Sequence, residues 1–196
     1  MKALELHQHL EEQLRSHGKR IFTVAELANF AGSSVAATRV ELHRLRHMGV
    51  IEQYAHARYG LPGGATAEEL LASLDSGAYI SGMYALHAPG MVTQVPHRVT
   101  CITNKRHNRS RVRNTRVGTL EFVCVSPRIY APPAKGRMAS PEQALCDYVY
   151  LCRRAGIDAQ SQVTFRRVSS LNAARLKRTC ARYPAAVQAE VARIID

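Results

Sequence analysis

The chain has 196 residues, 46% of them hydrophobic and 21% charged, with a formal net charge of +12. That length holds one large domain or two small ones, each able to bury a core, and the charge predicts a polyanionic partner without specifying a fold. No stretch approaches the apolar length of a membrane span and the opening MKALELHQHLEEQ is too charged for a secretory signal, so a cytoplasmic location with no membrane partner is expected.

Ala3, Leu6, Leu10 and Leu14 form a helical apolar stripe, and Glu5, Glu11 and Glu12 make that first helix acidic enough to face away from a polyanion. Thr23 and Glu26 have capping-box spacing, with Phe22 and Leu27 placed as a hydrophobic staple. Gly32 suits the left-handed position past a helix end, and Ser33 or Ser34 can cap the next helix. That helix is expected over 35–48, stopping at Gly49, with Val35, Thr38, Leu42 and Leu45 on its core face. The opposite face carries Ala36, Arg39, Val40, His43, Arg44 and His47. Small residues let a helix seat deeply in a major groove, and an arginine can fork onto guanine O6 and N7.

Ile51–Tyr54 and Arg58–Leu61 are β-capable runs around Ala55-His56-Ala57, and Ile21 with Phe22 can add a third short strand. The order is that of a winged helix-turn-helix, complete by Leu61. His56 and Arg58 would lie near the tip of the wing, where contacts to phosphate or the minor groove set register. The candidate DNA-binding residues are therefore Ser33, Ser34, Ala36, Arg39, Val40, His43, Arg44, His47, His56 and Arg58. An ordinary amphipathic helix would also show a polar face, but not this order of elements around it.

Gly63-Gly64 reads as a short hinge, dividing a winged helix-turn-helix domain at 1–62 from a basic α+β domain at 65–196. In the second part, Thr66 and Glu69 make another capping box for a helix ending near Asp75. A helix is expected over Tyr79–His87, broken by Pro89-Gly90. Arg98–Thr103 and Val117–Val125 read as paired strands. Ser140-Pro141 opens a long helix, and two more follow at about Leu171–Arg182 and Ala185–Ile195. The fold class is α+β: an N-terminal winged helix-turn-helix followed by a mixed α+β C-terminal domain.

Charge is unevenly spread. Residues 1–62 carry eight Lys and Arg against six acids, whereas 63–196 carry nineteen against nine. Between the two expected strands, 104–118 holds Lys105, Arg106, Arg109, Arg111, Arg113 and Arg116 with no acid. Such a run is either a solvated hairpin loop or a second nucleic-acid contact made through phosphates. Six engaged charges would add roughly 5 to a log–log salt slope on duplex DNA. Arg166, Arg167, Arg175, Lys177 and Arg178 are candidates to extend it.

Nothing supports catalysis. The second part shows no pair of carboxylates spaced to hold Mg²⁺, and there is no phosphate-cradling Gly-rich loop, GxSxG or HExxH. Glu142 suits a helix N-terminus, while Asp147, among apolar residues of the same helix, has no evident role. His43 and His47 have i, i+4 spacing but no third ligand, so no metal and no cofactor is expected. The five cysteines (101, 124, 146, 152 and 180) form no CxxC pair and read as buried reduced thiols, although Cys101 and Cys124 could face each other across neighbouring strands. Tyr79, Tyr84 and Tyr148 could line a protein-partner surface, but their helical core positions favour packing.

Three stretches in order, FTVAELANFAGSSVAATRVELHRLRHMGVIEQ, GAYISGMYALHAPGMVTQVP and SPEQALCDYVYL, resemble the AbiEi family of antitoxins from type IV toxin–antitoxin systems. The resemblance covers most of the chain to about Ile157. It implies a repressor whose winged helix binds inverted repeats in the promoter of its own operon and whose second domain extends that binding and carries antitoxin activity. The implied partners are duplex promoter DNA and a nucleotidyltransferase-like toxin countered without a stable complex. Ala36, Arg39 and His43 would inherit base reading and Arg58 the wing contact. The alternatives are an RNA-binding protein and a stand-alone winged-helix regulator without a toxin.

Overall fold

The computed structural model describes residues 3–107 and 110–195. The chain is mixed α+β and divides into two compact units, one running to Ser76 and including Asn114–Gly118, the other comprising Gly77–Arg113 and the residues from Thr119 onward.

The first unit contains α1 (Ala3–His17), β1 (Phe22–Thr23), α2 (Val24–Phe30), α3 (Val35–His47), β2 (Glu52–Ala55), β3 (Arg58–Gly60) and α4 (Ala67–Leu74). Local chemistry sets the boundaries. The Thr23 hydroxyl accepts the Glu26 N–H at 3.2 Å and the Glu26 carboxylate accepts the Thr23 N–H at 2.8 Å, so two orphan donors at the start of α2 are satisfied reciprocally. Gly32, at φ +57°, turns the chain in the left-handed region, and Ser34 caps α3 by accepting the Ala37 N–H at 3.2 Å. Leu6 and Leu10 from α1, Phe22, Leu27, Leu42, Leu45, Ile51 and Tyr59 form one core. Val35, expected in that core, is 43% exposed. It opens α3, and the buried stripe starts one turn later at Thr38.

The three strands pair antiparallel in the order β1-β3-β2, with Tyr59 opposite both Phe22 and Gln53. Gly60 is needed where it stands, because a Cβ there would overlap the carbonyl oxygen of Arg20. Gly60→Ala is expected to cost about 1–3 kcal/mol by overpacking, measured as a lower urea midpoint.

Helix α4 groups with this first unit, although Gly63-Gly64 reads as a hinge. The Tyr54 hydroxyl donates to the Leu61 carbonyl at 2.5 Å and accepts the Gly64 N–H at 2.7 Å. Arg20 donates to the Gly64 carbonyl at 2.8 Å and pairs with Glu69 at 3.0 Å. Two glycines are mobile only if nothing holds their backbone, and here it is held.

The second unit contains β4 (Tyr79–Ser81), α5 (Gly82–His87), β5 (Arg98–Thr103), β7 (Gly118–Cys124, its first residue in the other unit), α6 (Pro141–Arg154), α7 (Ala159–Gln162), a 3-10 turn at Val168–Ser170, α8 (Ala173–Cys180) and α9 (Ala185–Ile195). Strand β6 (Val112–Thr115) spans the division, and the sheet order is β4-β5-β7-β6. Two expectations change. Tyr79–His87 is not one helix: Ile80 exchanges backbone bonds with Arg137 (2.7 Å) and Ala139 (2.8 Å), and Gly82 at φ +62° separates strand from helix. The strands β5 and β7 do pair, but in parallel, Arg98 opposite Thr119 through Thr103 opposite Cys124. Parallel neighbours cannot be joined by a hairpin, so the basic segment is not a hairpin loop between them. It includes the edge strand β6. Cys101 lies opposite Phe122 and not Cys124, and all five cysteines are free thiols.

Helix α6 packs against α5, α8 and α9, and Leu145, Val149, Leu176, Tyr183, Val187 and Val191 sit in the core around it. Tyr79 and Tyr148 are buried in that core too. Among the described residues, no helix is long and apolar enough to cross a membrane.

Candidate nucleic-acid interface

The outer face of α3 is open along its length. Ser33, Ser34, Ala36, Arg39, Val40, His43, Arg44 and His47 are all exposed, Val40 to 73%. Their anchor is the opposite face: Thr38, Leu42 and Leu45 are fully buried, which fixes the rotation of the helix. The N-terminal end offers orphan backbone N–H groups beside two serines, a favourable place for an anion.

The cations on α3 differ in what they already do. Arg44 is paired with Glu41 at 2.6 Å, a hydrogen bond that holds the Glu41 carboxyl below its usual range. Arg46, which the sequence does not single out, donates to Gln53 at 2.7 Å. With His47 these lie in the last turn, where positive charge complements the helix dipole. Among the described residues, Arg39 has no hydrogen-bond or ion-pair partner. The His43 and His47 rings meet edge to face at 4.4 Å, and among the described residues no cluster of three potential metal ligands exists.

In the β2–β3 hairpin, His56 is exposed at the tip and Ala57 makes the turn at φ +54°. Arg58 does not reach outward. Its guanidinium donates to the Ser73 carbonyl at 2.7 and 3.2 Å, one of the carbonyls left orphaned at the end of α4. Arg58 therefore ties the hairpin to α4, and a contact at the tip falls to His56.

The basic segment is more committed than its composition implies. Lys105 and Arg106 are exposed; Arg109 lies outside the described residues. Arg111 donates to Glu121 at 2.7 Å, and Arg98 bonds the same carboxylate at 3.1 Å. Burial raises the Glu121 carboxyl, but the two arginines outweigh it and hold it below its usual range. Arg113 lies over the Phe122 ring at 4.7 Å and meets His107 at 3.1 Å. Within the first unit, Arg116 pairs with Glu52 at 2.5 Å, while the Gly63 N–H, the larger influence, helps hold that carboxyl low. The acids missing from 104–118 are supplied by strands β2 and β7. Arg166, Arg167, Arg175, Lys177 and Arg178 are exposed, and Arg175 lies 3.6 Å from Glu142.

The two carboxylates of α6 are structural. Glu142 accepts the Asn172 N–H at 3.0 Å. Asp147 is fully buried and accepts from Ser81 at 2.6 Å, Tyr183 at 2.7 Å and Tyr79 at 3.4 Å. Burial pushes its carboxyl up to about 6 against those hydrogen bonds.

No protein-family profile matches the chain, and a search of curated proteins finds no match either.

Proposed function

We propose that the chain is a sequence-specific, duplex-DNA-binding transcriptional repressor whose first unit is a winged helix-turn-helix, with α3 as the recognition helix. One observation carries this reading: α3 is rotated by its buried leucines so that Ala36, Arg39, Val40 and His43 face outward, with Arg39 unpaired among the described residues. Arg39 would fork onto a guanine, Val40 would meet a thymine methyl, and His43 would read a neighbouring edge. Ser33, Ser34, Arg44, His47 and His56 would touch phosphates and set register.

The resemblance of the three sequence stretches to AbiEi antitoxins supports a narrower reading, in which the operator is a pair of inverted repeats upstream of the chain's own gene and the second unit counters a nucleotidyltransferase-like toxin. Both features rest on that resemblance.

Binding to the upstream DNA and to random duplex, compared at about 150 mM salt, tests the reading; specific repressors separate the two by about 10³ or more. Equal affinity would end the operator claim. In the same assay, neutralising Lys105 and Arg106 together is expected to lower the salt slope by up to about 2. An unchanged slope on duplex with a loss on single-stranded RNA would favour the RNA-binding alternative.

A further inference from the structure

The second unit carries an open cleft of about 980 Å³ between the β5–β7 part of its sheet and the C-terminal half of α6. That is the size class of small-molecule and cofactor sites. Of its lining, the repressor reading uses only Arg106, as a phosphate contact.

Its walls combine anchored cations with an aromatic ring. Arg154, in the last turn of α6, donates one guanidinium N–H to the Cys124 carbonyl at 3.1 Å. Arg111 donates to Glu121 at 2.7 Å. A guanidinium has five N–H donors in a planar fork, so one anchoring bond orients the group and leaves donors for an oxyanion. Arg106 adds a third positive charge to the lining. Glu121, a carboxylate in the lining, is already paired with Arg98 and Arg111 and presents little net repulsion to an anion.

Tyr150 lies four residues before Arg154, hence on the same face of α6, and its half-buried ring also lines the cleft. Leu151 and Ala155 supply apolar surface beside it. Arginine forks suit phosphate geometry better than a point charge does, and an aromatic face with apolar flanks suits a flat heterocycle. A simple inorganic anion would leave most of this volume empty.

We propose that this cleft is a nucleotide site, in which Arg111 and Arg154 clamp the phosphates and Tyr150 stacks on the base, the nucleotide being either free or the 5′-phosphorylated end of a single strand. The inference stands apart from duplex recognition by α3.

Calorimetric titration of the full chain tests it, with nucleoside diphosphates, inorganic pyrophosphate, and tetranucleotides bearing either a 5′-phosphate or a 5′-hydroxyl. Nucleoside diphosphates or the 5′-phosphorylated strand should bind at micromolar to millimolar concentration. Arg154→Gln should weaken that binding about tenfold or more by removing charge-assisted bonds. Tyr150→Leu should weaken nucleotides but not pyrophosphate. Preference for the 5′-phosphorylated over the 5′-hydroxyl strand, with no binding of the diphosphates, would identify a strand end as the ligand; the reverse would identify a free nucleotide. Duplex binding by Arg154→Gln should equal that of the parent chain, which separates failure of this site from failure of the repressor reading. Thermal melts check folding, and Arg111→Gln provides the same readout should Arg154→Gln not fold. Absence of binding by every probe, affinity unaltered by both arginine variants, or indifference of nucleotides to Tyr150→Leu would each overturn the assignment.

Discussion

Replacing Asp147 by alanine is expected to destabilise the second unit by about 3–5 kcal/mol, combining a cavity with hydroxyl donors left without an acceptor. Asp147 has no exposure, and its two oxygens join α6 to Ser81 and Tyr79 on β4 and to Tyr183 beyond α8. Tyr79 is in turn bonded by Gln143, which also reaches the Ala131 carbonyl at 2.7 Å. Removing the carboxylate disconnects three elements at one point. Urea unfolding followed by far-UV circular dichroism is the direct measurement, since the chain has no tryptophan. A loss below about 1 kcal/mol, no more than a typical point substitution costs, would mean that the network contributes little.

Asp147→Asn separates shape from charge. Burial raises the Asp147 carboxyl from 3.8 to about 6, despite the hydrogen bonds that favour the ionised form. The folded state therefore holds its proton more tightly than the unfolded chain does. The resulting stabilisation is complete below pH 3.8 and is lost as pH rises through about 6, a difference of about 3 kcal/mol. Besides the Ser81 hydroxyl, the titratable or charged groups facing Asp147 are Tyr79, Tyr183, Cys146 and the Arg182 guanidinium. Both tyrosine hydroxyls and the thiol are pushed upward by burial, so they do not titrate in this window. The stability of Asp147→Asn relative to the parent chain should rise by about 2 kcal/mol between about pH 4 and about pH 7, most of the full difference. A pH-independent difference would show that Asp147 is not titrating there.

Much of the first unit was legible because its signals are short-range. Thr23 with Glu26, Gly32 with Ser34, and Leu42 with Leu45 are decided within a turn or two of chain, where capping and periodicity act. What was not legible depends on partners far along the sequence. Asp147 looks misplaced until Ser81, 66 residues earlier, is seen to donate to it. Arg116 looks like a loop cation until Glu52 is beside it. Arg58 has the spacing of a hairpin-tip contact, yet the end of α4 takes its guanidinium. Tyr79–Ser81 has the apolar pattern of either element, and the backbone bonds from Ile80 to Arg137 and Ala139 decide for a strand. The direction of β5 relative to β7 depends on β6 lying between them in the chain, and Val-Arg-Asn-Thr is too short and polar to read as a strand.

The two faces of α3 should separate cleanly in a pair of variants. Leu45 is fully buried in the core with Leu6, Leu10 and Leu27, so Leu45→Ala is expected to cost about 2–5 kcal/mol of stability. Its effect on DNA should follow the folded fraction alone: at temperatures where the variant remains folded, affinity per folded molecule stays that of the parent chain. Arg39, exposed and without a partner among the described residues, should behave in the opposite way. Arg39→Ala should leave stability within about 0.5 kcal/mol and weaken specific binding by about 1–3 kcal/mol, with non-specific affinity little changed. Equal loss on operator and random duplex would make Arg39 a phosphate contact and move base reading to Val40 and His43. Loss of stability without loss of specificity would remove α3 from the interface, since a recognition helix holds the fold with its inner face and leaves its outer face to the partner.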